Sequence, residues 1–123
     1  KITFIQGDSS VELKSLLPSI QQNAIFFLDG HYSSGITAKG EKDCPLIEEI
    51  THIHNLFVPS AILIIDDYRM FGKGPSETQN EDWRHITKTN IIQILGSRII
   101  DIYFLNSNVC ENDRFIIHIS SKN

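Results

Sequence analysis

Two short apolar runs in this chain stop at aspartate residues. Residues 24–28 are followed by Asp29, and residues 61–65 are followed by Asp66 and Asp67. Runs of this kind predict strands that are buried on both faces of a parallel sheet. Open α/β sheets bind ligands beyond the carboxyl ends of their strands, so we expect the three carboxylates to converge on one small site. Several carboxylate oxygens are the ligands that a hard divalent cation such as Mg²⁺ requires.

A cation held by Asp29, Asp66 and Asp67 would make a bound substrate hydroxyl more acidic and therefore a better nucleophile. His31 follows Asp29 by two residues and is the candidate general base, because a neutral imidazole can accept that proton. Simpler roles remain open for all four side chains. Aspartates at strand ends often serve as helix caps or turn residues, and many loop histidines transfer no proton.

The turn Gly7-Asp8-Ser9 is a second candidate for ligand contact. Glycine lets a ligand approach the backbone closely, and the side chains of Asp8 and Ser9 can donate or accept hydrogen bonds. The same two side chains can instead cap the helix that follows. The sequence leaves both roles open.

The elements that must position these residues alternate along the chain. This alternation predicts an α/β fold with a mostly parallel sheet, helices on both faces and an antiparallel strand at the end. The predicted strands cover residues 2–5, 25–29, 61–66, 98–105 and 114–120, and the predicted helices follow Ser10 and cover residues 45–57 and 81–95.

Composition narrows the class of protein. The 123 residues suffice for one domain, and 41% hydrophobic with 21% charged residues is ordinary for a globular protein. The net charge of −4 argues against nucleic acid as the main partner, and no apolar stretch approaches the roughly 20 residues that span a bilayer. We interpret Cys44 and Cys110 as reduced thiols and expect a cytoplasmic location, with no membrane partner.

Several segments together resemble a known family. They are Phe27–Gly35, Thr37–Gly40, Pro45–Ile50 and Ile64–Tyr68. Their sequence is similar to the middle of class I S-adenosylmethionine-dependent methyltransferases, and most similar to the metal-dependent O-methyltransferases of the macrocin and catechol type. The resemblance implies a Rossmann-like fold and methyl transfer from S-adenosylmethionine to a hydroxyl of a small molecule. It also implies that a divalent metal assists the transfer, and magnesium is the ion that we expect.

The resemblance also implies roles for individual residues. His31 takes the position of the base, although that position is often acidic in macrocin-type relatives. The implied metal ligands are Asp29, Asp66 and Asp67, and the implied contacts to S-adenosylmethionine are Gly7, Asp8, Ser9 and Asp29.

The chain departs from the family at its beginning. The glycine-rich first loop of the family and the acidic residue that ends its second strand are absent. We therefore expect residues 1–123 to form a single domain that is the C-terminal part of a larger methyltransferase domain without its first two strands. A small-molecule substrate is the expected partner, and self-association is left open.

Two other classes of function compete with this prediction. One is a non-catalytic α/β module, either a phosphoacceptor receiver or a degenerate methyltransferase half used in assembly. A receiver places its acidic pair after the first strand, whereas here the pair follows the third. The other class is a metal-dependent hydrolase, which ranks last because no pair of histidines lies in register with the acidic residues.

Overall fold

The computed structural model describes residues 4–5, 14–28, 46–74 and 82–122. These residues form a five-stranded mixed sheet with helices packed against it, which confirms the predicted α/β class. The strands are β1 (Phe4–Ile5), β2 (Ala24–Leu28), β3 (Ala61–Ile65), β4 (Ile99–Leu105) and β5 (Arg114–Ile119), and the longer helices are α1 (Leu46–Leu56) and α2 (Lys88–Leu95).

The strand order in the sheet is β1-β2-β3-β5-β4. The first three strands are parallel, and β5 runs antiparallel to both of its neighbours. The predicted antiparallel pairing of the last two strands is therefore confirmed. The sequence did not show that β5 would insert between β3 and β4, which leaves β4 at the edge of the sheet.

The hydrophobic core lies on one face of the sheet. Alternate residues of β2 and β3 are buried there, as the two-residue period of a strand requires. Helix α1 contributes Leu46, Ile50 and Ile53, whose spacing places them on one side of a helix, and all three are fully buried. Helices α1 and α2 belong to the same core cluster and contact each other, so helices on both faces remain a prediction.

The opposite face of the sheet is apolar but less well covered. It carries Ile25, Ile62 and Ile64, which are half-buried, and Phe27, whose side chain is 41% exposed. These residues alternate with the buried residues of the same strands and therefore point to the other side.

The predicted helix 81–95 is wrong in its first half, because α2 begins only at Lys88. Thr87 is the N-cap, and its hydroxyl accepts a hydrogen bond from a backbone N–H of the first turn at 3.0 Å. Upstream, the carboxylate of Asp82 accepts the backbone N–H two residues on, an arrangement that competes with a helix. Trp83 is fully buried and its N–H bonds to the preceding loop, so this segment packs as a turn.

A buried arginine joins the C-terminal end of α1 to the sheet. Arg98 is 6% exposed, and its guanidinium donates to the carbonyl oxygens of Ser120 at 3.0 Å, His54 at 3.1 Å and Pro59 at 3.1 Å. The last carbonyls of a helix have no partner within the helix, and the helix dipole favours a positive charge there. Burial lowers the pKa of Arg98, but an arginine stays charged at neutral pH.

We expect His54 to make the unfolding free energy sensitive to pH. Burial lowers the pKa of His54, and the charges of Arg98 and Lys122 lower it further. The unfolded chain therefore binds the proton more tightly, so stability is complete above the ordinary pKa of about 6.5 and falls as the pH drops toward the lower folded value. Urea midpoints measured between pH 7.5 and 5 should fall more steeply for the native sequence than for His54→Gln. Parallel pH profiles for the two proteins would contradict this assignment.

Candidate functional site

The acidic pair lies at the carboxyl end of β3, next to the end of β2. The backbone N–H of Asp66 donates to the carbonyl oxygen of Leu28 at 3.1 Å, so the two strand ends meet at one rim of the sheet. Leu28 is the last described residue of β2, and Asp29 follows it in the chain. Asp29 itself lies outside the residues that the structure describes. The same holds for the other residues with a predicted role in the site, which are Gly7, Asp8, Ser9 and His31.

The backbone turns sharply at the second aspartate. Asp67 has φ 63° and ψ 39°, a left-handed conformation that aspartate tolerates better than most residues. The carboxylate of Asp66 accepts the N–H of Asp67 at 3.0 Å, and the short 3₁₀ helix Tyr68–Met70 follows. The turn leaves the Asp66 side chain 24% exposed and the Asp67 side chain 10% exposed. Asp66 is therefore the more accessible of the two carboxylates.

A third carboxylate, which the sequence did not predict, completes an acidic cluster at this rim. Asp66, Asp67 and Asp113 each offer an oxygen atom, and these atoms lie within 4.8 Å of one another. Asp113 directly precedes β5 and is 1% exposed. Because β5 runs antiparallel beside β3, the start of β5 meets the end of β3. No local sequence signal identifies Asp113, because its place in the cluster depends on the pairing of β5 with β3.

Two arginines supply positive charge to the acidic cluster. The Nη1 atom of Arg69 lies 3.1 Å from the Asp67 carboxylate and also contacts the carboxylate of Asp113. The Nε atom of Arg114 lies 3.7 Å from the Asp66 carboxylate. Repulsion among the three carboxylates is therefore partly relieved within the protein itself. Asp66 and Asp67 still offer carboxylate oxygens, the ligands that a hard cation prefers, and Asp66 is the more exposed of the two.

The carboxylate of Asp113 is engaged by other protein groups. It accepts hydrogen bonds from Ser107 Oγ at 2.8 Å and from the backbone N–H of Arg69 at 3.1 Å, in addition to the guanidinium contact. Burial pushes the pKa of Asp113 upward, but the hydrogen bonds and the charge of Arg69 outweigh burial and hold the pKa below its ordinary value. Asp113 is therefore ionised at neutral pH.

Aromatic side chains pack around Tyr68, the residue directly after the acidic pair. The ring of Tyr68, directly after the acidic pair, lies 4.6 Å from that of Phe71, 4.8 Å from Phe104 and 5.7 Å from Phe115, measured between centroids. Packed aromatic residues of this kind restrict rotamers and hold neighbouring polar groups in place. The site is thus built on packed elements where the structure describes it.

Comparisons with protein-family models, with curated proteins and with solved structures find no match to this chain. Across the ranges that the structure describes, the helices are all too short or too polar to cross a membrane.

Proposed function

We propose that this chain is the C-terminal part of a class I S-adenosylmethionine-dependent methyltransferase that methylates a hydroxyl group of a small molecule with the help of a divalent metal, magnesium in the first instance. The observation that supports the proposal most strongly is the hydrogen bond between the Asp66 N–H and the Leu28 carbonyl. It brings together the ends of the two strands whose sequences carry the resemblance. An exposed, free Cys110 suits the reducing cytoplasm, which is the compartment we propose.

The described residues fit a divalent cation. Asp66 and Asp67 would hold it together with Asp29, and the donor atoms are carboxylate oxygens, as Mg²⁺ prefers. When bound, such a metal lowers the pKa of a substrate hydroxyl and orients it. Arg69 fixes the carboxylate of Asp67 through its 3.1 Å contact, so that ligand would not need to reorganise when the cation arrives. His31 would accept the proton from the substrate, and Gly7, Asp8 and Ser9 would contact the adenine of the cofactor.

The exposed side of the sheet supports a larger parent domain. Phe27 and Ile64 are paired across β2 and β3 on the face opposite the core, where Phe27 is 41% exposed. A parallel sheet is normally covered on both faces by helices. The described helices cover one face, so we propose that elements encoded upstream of Lys1 complete the sheet, its second layer and the glycine-rich cofactor loop.

A second candidate function is a non-catalytic module used in assembly. The observation that favours it is the contact of Arg69 with Asp67, because an internal guanidinium can neutralise an acidic cluster without any metal. In that case the cluster would only stabilise the turn after β3. Metal binding and cofactor binding distinguish the two candidates.

The proposal predicts that a protein including the sequence encoded upstream of Lys1 binds S-adenosylmethionine. Titration calorimetry should show binding of S-adenosylmethionine and of its demethylated product, and methyl transfer to a panel of small hydroxyl compounds should stop with EDTA and return with Mg²⁺. The physical reason is that the metal supplies part of the transition-state stabilisation.

Two results would count against the proposal, the first against the methyltransferase itself and the second against the role of the metal. One is a protein that is folded yet binds neither S-adenosylmethionine nor its product. The other is transfer that continues unchanged in EDTA, which would remove the metal from the proposal and leave the methyltransferase.

A further inference from the structure

Strand β4 forms one outer edge of the sheet. Its inner side pairs with β5, and among the described residues no strand pairs with its outer side. β4 is seven residues long and contains no lysine, arginine, proline or glycine. Proteins usually protect an edge of this length, because its free N–H and C=O groups can pair with a strand of another molecule.

The side chains of β4 favour such pairing. Ile100, Tyr103 and Leu105 are 66%, 38% and 50% exposed. Ile102 and Phe104 point to the other side of the strand and pack against the core cluster. A strand laid along β4 would therefore gain hydrogen bonds and would also bury apolar surface. β4 is thus a strand that we expect to associate unless a local feature prevents it.

The hydrogen bonds of β5 establish which backbone groups of β4 face outward. The N–H of Ser120 donates at 2.7 Å to the carbonyl oxygen of the residue before β4, so Ser120 faces β4. Backbone groups alternate in direction along a strand, so Ile116 also faces β4, and its partner Tyr103 faces β5. The N–H groups of Ile102 and Phe104 therefore point outward.

The carboxylate of Asp101 occupies the first of these two outward donors. It accepts the N–H of Ile102 at 2.9 Å. A bulge lies at the same place, because the pairing of β4 with β5 shifts by one residue between Ile99 and Asp101. A bulge bends a strand and disrupts regular pairing. Asp101 and the bulge together interrupt the row of hydrogen-bonding groups that β4 could offer to another strand.

A second charge lies near the other outward donor. The ammonium group of Lys88 lies 5.5 Å from the centroid of the Phe104 ring. Lys88 is the first residue of α2, where the helix dipole disfavours a cation. Attraction to the aromatic ring offsets part of that cost, and a lysine beside an edge strand also opposes pairing with another molecule. Both outward donors of β4 therefore have a charged side chain beside them.

We infer that the outer edge of β4 is able to pair with β4 of a second copy of this chain, and that Asp101 prevents this pairing by occupying the N–H of Ile102. A second copy fits because two β4 strands related by a twofold axis are complementary to each other. With Tyr103 at the axis, the outward groups of Ile102 would meet those of Phe104 of the second copy. The inference does not depend on the proposed methyltransferase activity.

The same arrangement explains why the carboxylate is an effective block. Asp101 would lie opposite Leu105 of the second copy, since both positions are two residues from the axis. There the carboxylate would lose hydration without gaining a polar partner, which is unfavourable. Pairing would also break the hydrogen bond between Asp101 and Ile102 in each copy.

The test measures self-association of this chain by sedimentation velocity over a range of protein concentrations. Asp101→Val removes the carboxylate and introduces a residue that strands favour. We expect its apparent dimer dissociation constant to be roughly 10- to 100-fold lower than that of the native sequence, because no hydrogen bond has to be broken in either copy.

Two further variants serve as controls. Asp101→Asn keeps an oxygen that can accept the N–H of Ile102, so its association should stay close to that of the native sequence. Glu111→Val removes the same charge and adds the same side chain at an exposed position outside the strands. It should associate no more than the native sequence.

Amide hydrogen exchange shows where the copies meet. In Asp101→Val the N–H of Phe104 should exchange more slowly as the protein concentration rises. Association through the face of the sheet that carries Phe27 would leave this N–H unchanged. Adding Leu105→Lys to Asp101→Val should restore fast exchange, because a lysine on an edge strand opposes pairing.

Several outcomes would overturn the inference. Association of Asp101→Val no stronger than that of Glu111→Val would show that the carboxylate blocks nothing, and association without slower exchange at Phe104 would place the contact elsewhere. Slower exchange at Phe104 with rising concentration of the native sequence would show that the edge pairs despite Asp101. Equal association of Asp101→Asn and Asp101→Val would overturn the role given to the hydrogen bond.

Discussion

Arg98→Met is expected to lower the free energy of unfolding by about 3–4 kcal/mol, which corresponds to a fall in melting temperature of roughly 10–15 °C for a chain of this size. The side chain of Arg98 donates to carbonyls from the end of α1, from the following loop and from the residue after β5. Methionine fills much of the same volume but donates nothing. Each buried carbonyl left without a donor costs about 1 kcal/mol or more.

Arg84→Met is the matched control for this prediction. The side chain of Arg84 is 69% exposed and pairs with Asp82 on the surface, where solvent screening leaves an ion pair with little effect on stability. Chemical denaturation followed by circular dichroism would compare the two variants. Equal stabilities for Arg98→Met and Arg84→Met would show that the buried guanidinium does not stabilise the end of α1.

Asp66→Asn is expected to reduce metal-dependent methyl transfer by the longer protein about a hundredfold or more, while the fold is kept. A metal contributes several kcal/mol to the stabilisation of developing charge, and each 1.4 kcal/mol is a factor of ten in rate. Asparagine still offers an oxygen to the N–H of Asp67, so the turn should survive. The loss should be measured as kcat/KM at saturating Mg²⁺, with the melting temperature determined in parallel.

The control for this variant is Asp101→Asn, the same chemical change at an exposed position on the edge strand. It should leave transfer unchanged. Full activity and unchanged Mg²⁺ dependence in Asp66→Asn would refute the proposed ligand role. Loss of activity with an intact fold would argue against the assembly module.

The strands could be predicted because the apolar character of their own residues is enough to indicate a buried strand. The runs that end at Leu28 and Ile65 are apolar and bounded by polar residues, and the structure confirms both strands to within one residue. The start of α2 was not predictable in the same way. Within the described part of this segment, the carboxylate of Asp82 is the local group that opposes a helix, and the turn also depends on the burial of Trp83 and on its backbone hydrogen bond to Lys73 in the preceding loop.

The acidic cluster was predictable in part for a related reason. Asp66 and Asp67 follow a strand whose direction is implied by the alternation of elements. Asp113 joins them only because β5 inserts beside β3. The residues of β5 do not by themselves indicate the strand with which β5 pairs. The role of Arg98 was missed for the same reason, since its carbonyl partners lie 22 to 45 residues away in the chain.

The position of β5 also constrains the order in which the protein can form during synthesis. Strands β3 and β4 are joined in the sheet only through β5, the last of the described strands to leave the ribosome. Because domains generally fold as units, and β4 pairs in this sheet with β5 alone, β4 cannot join the sheet before β5 is available. One edge of β3 therefore has no partner strand until residues 114–119 have been synthesised.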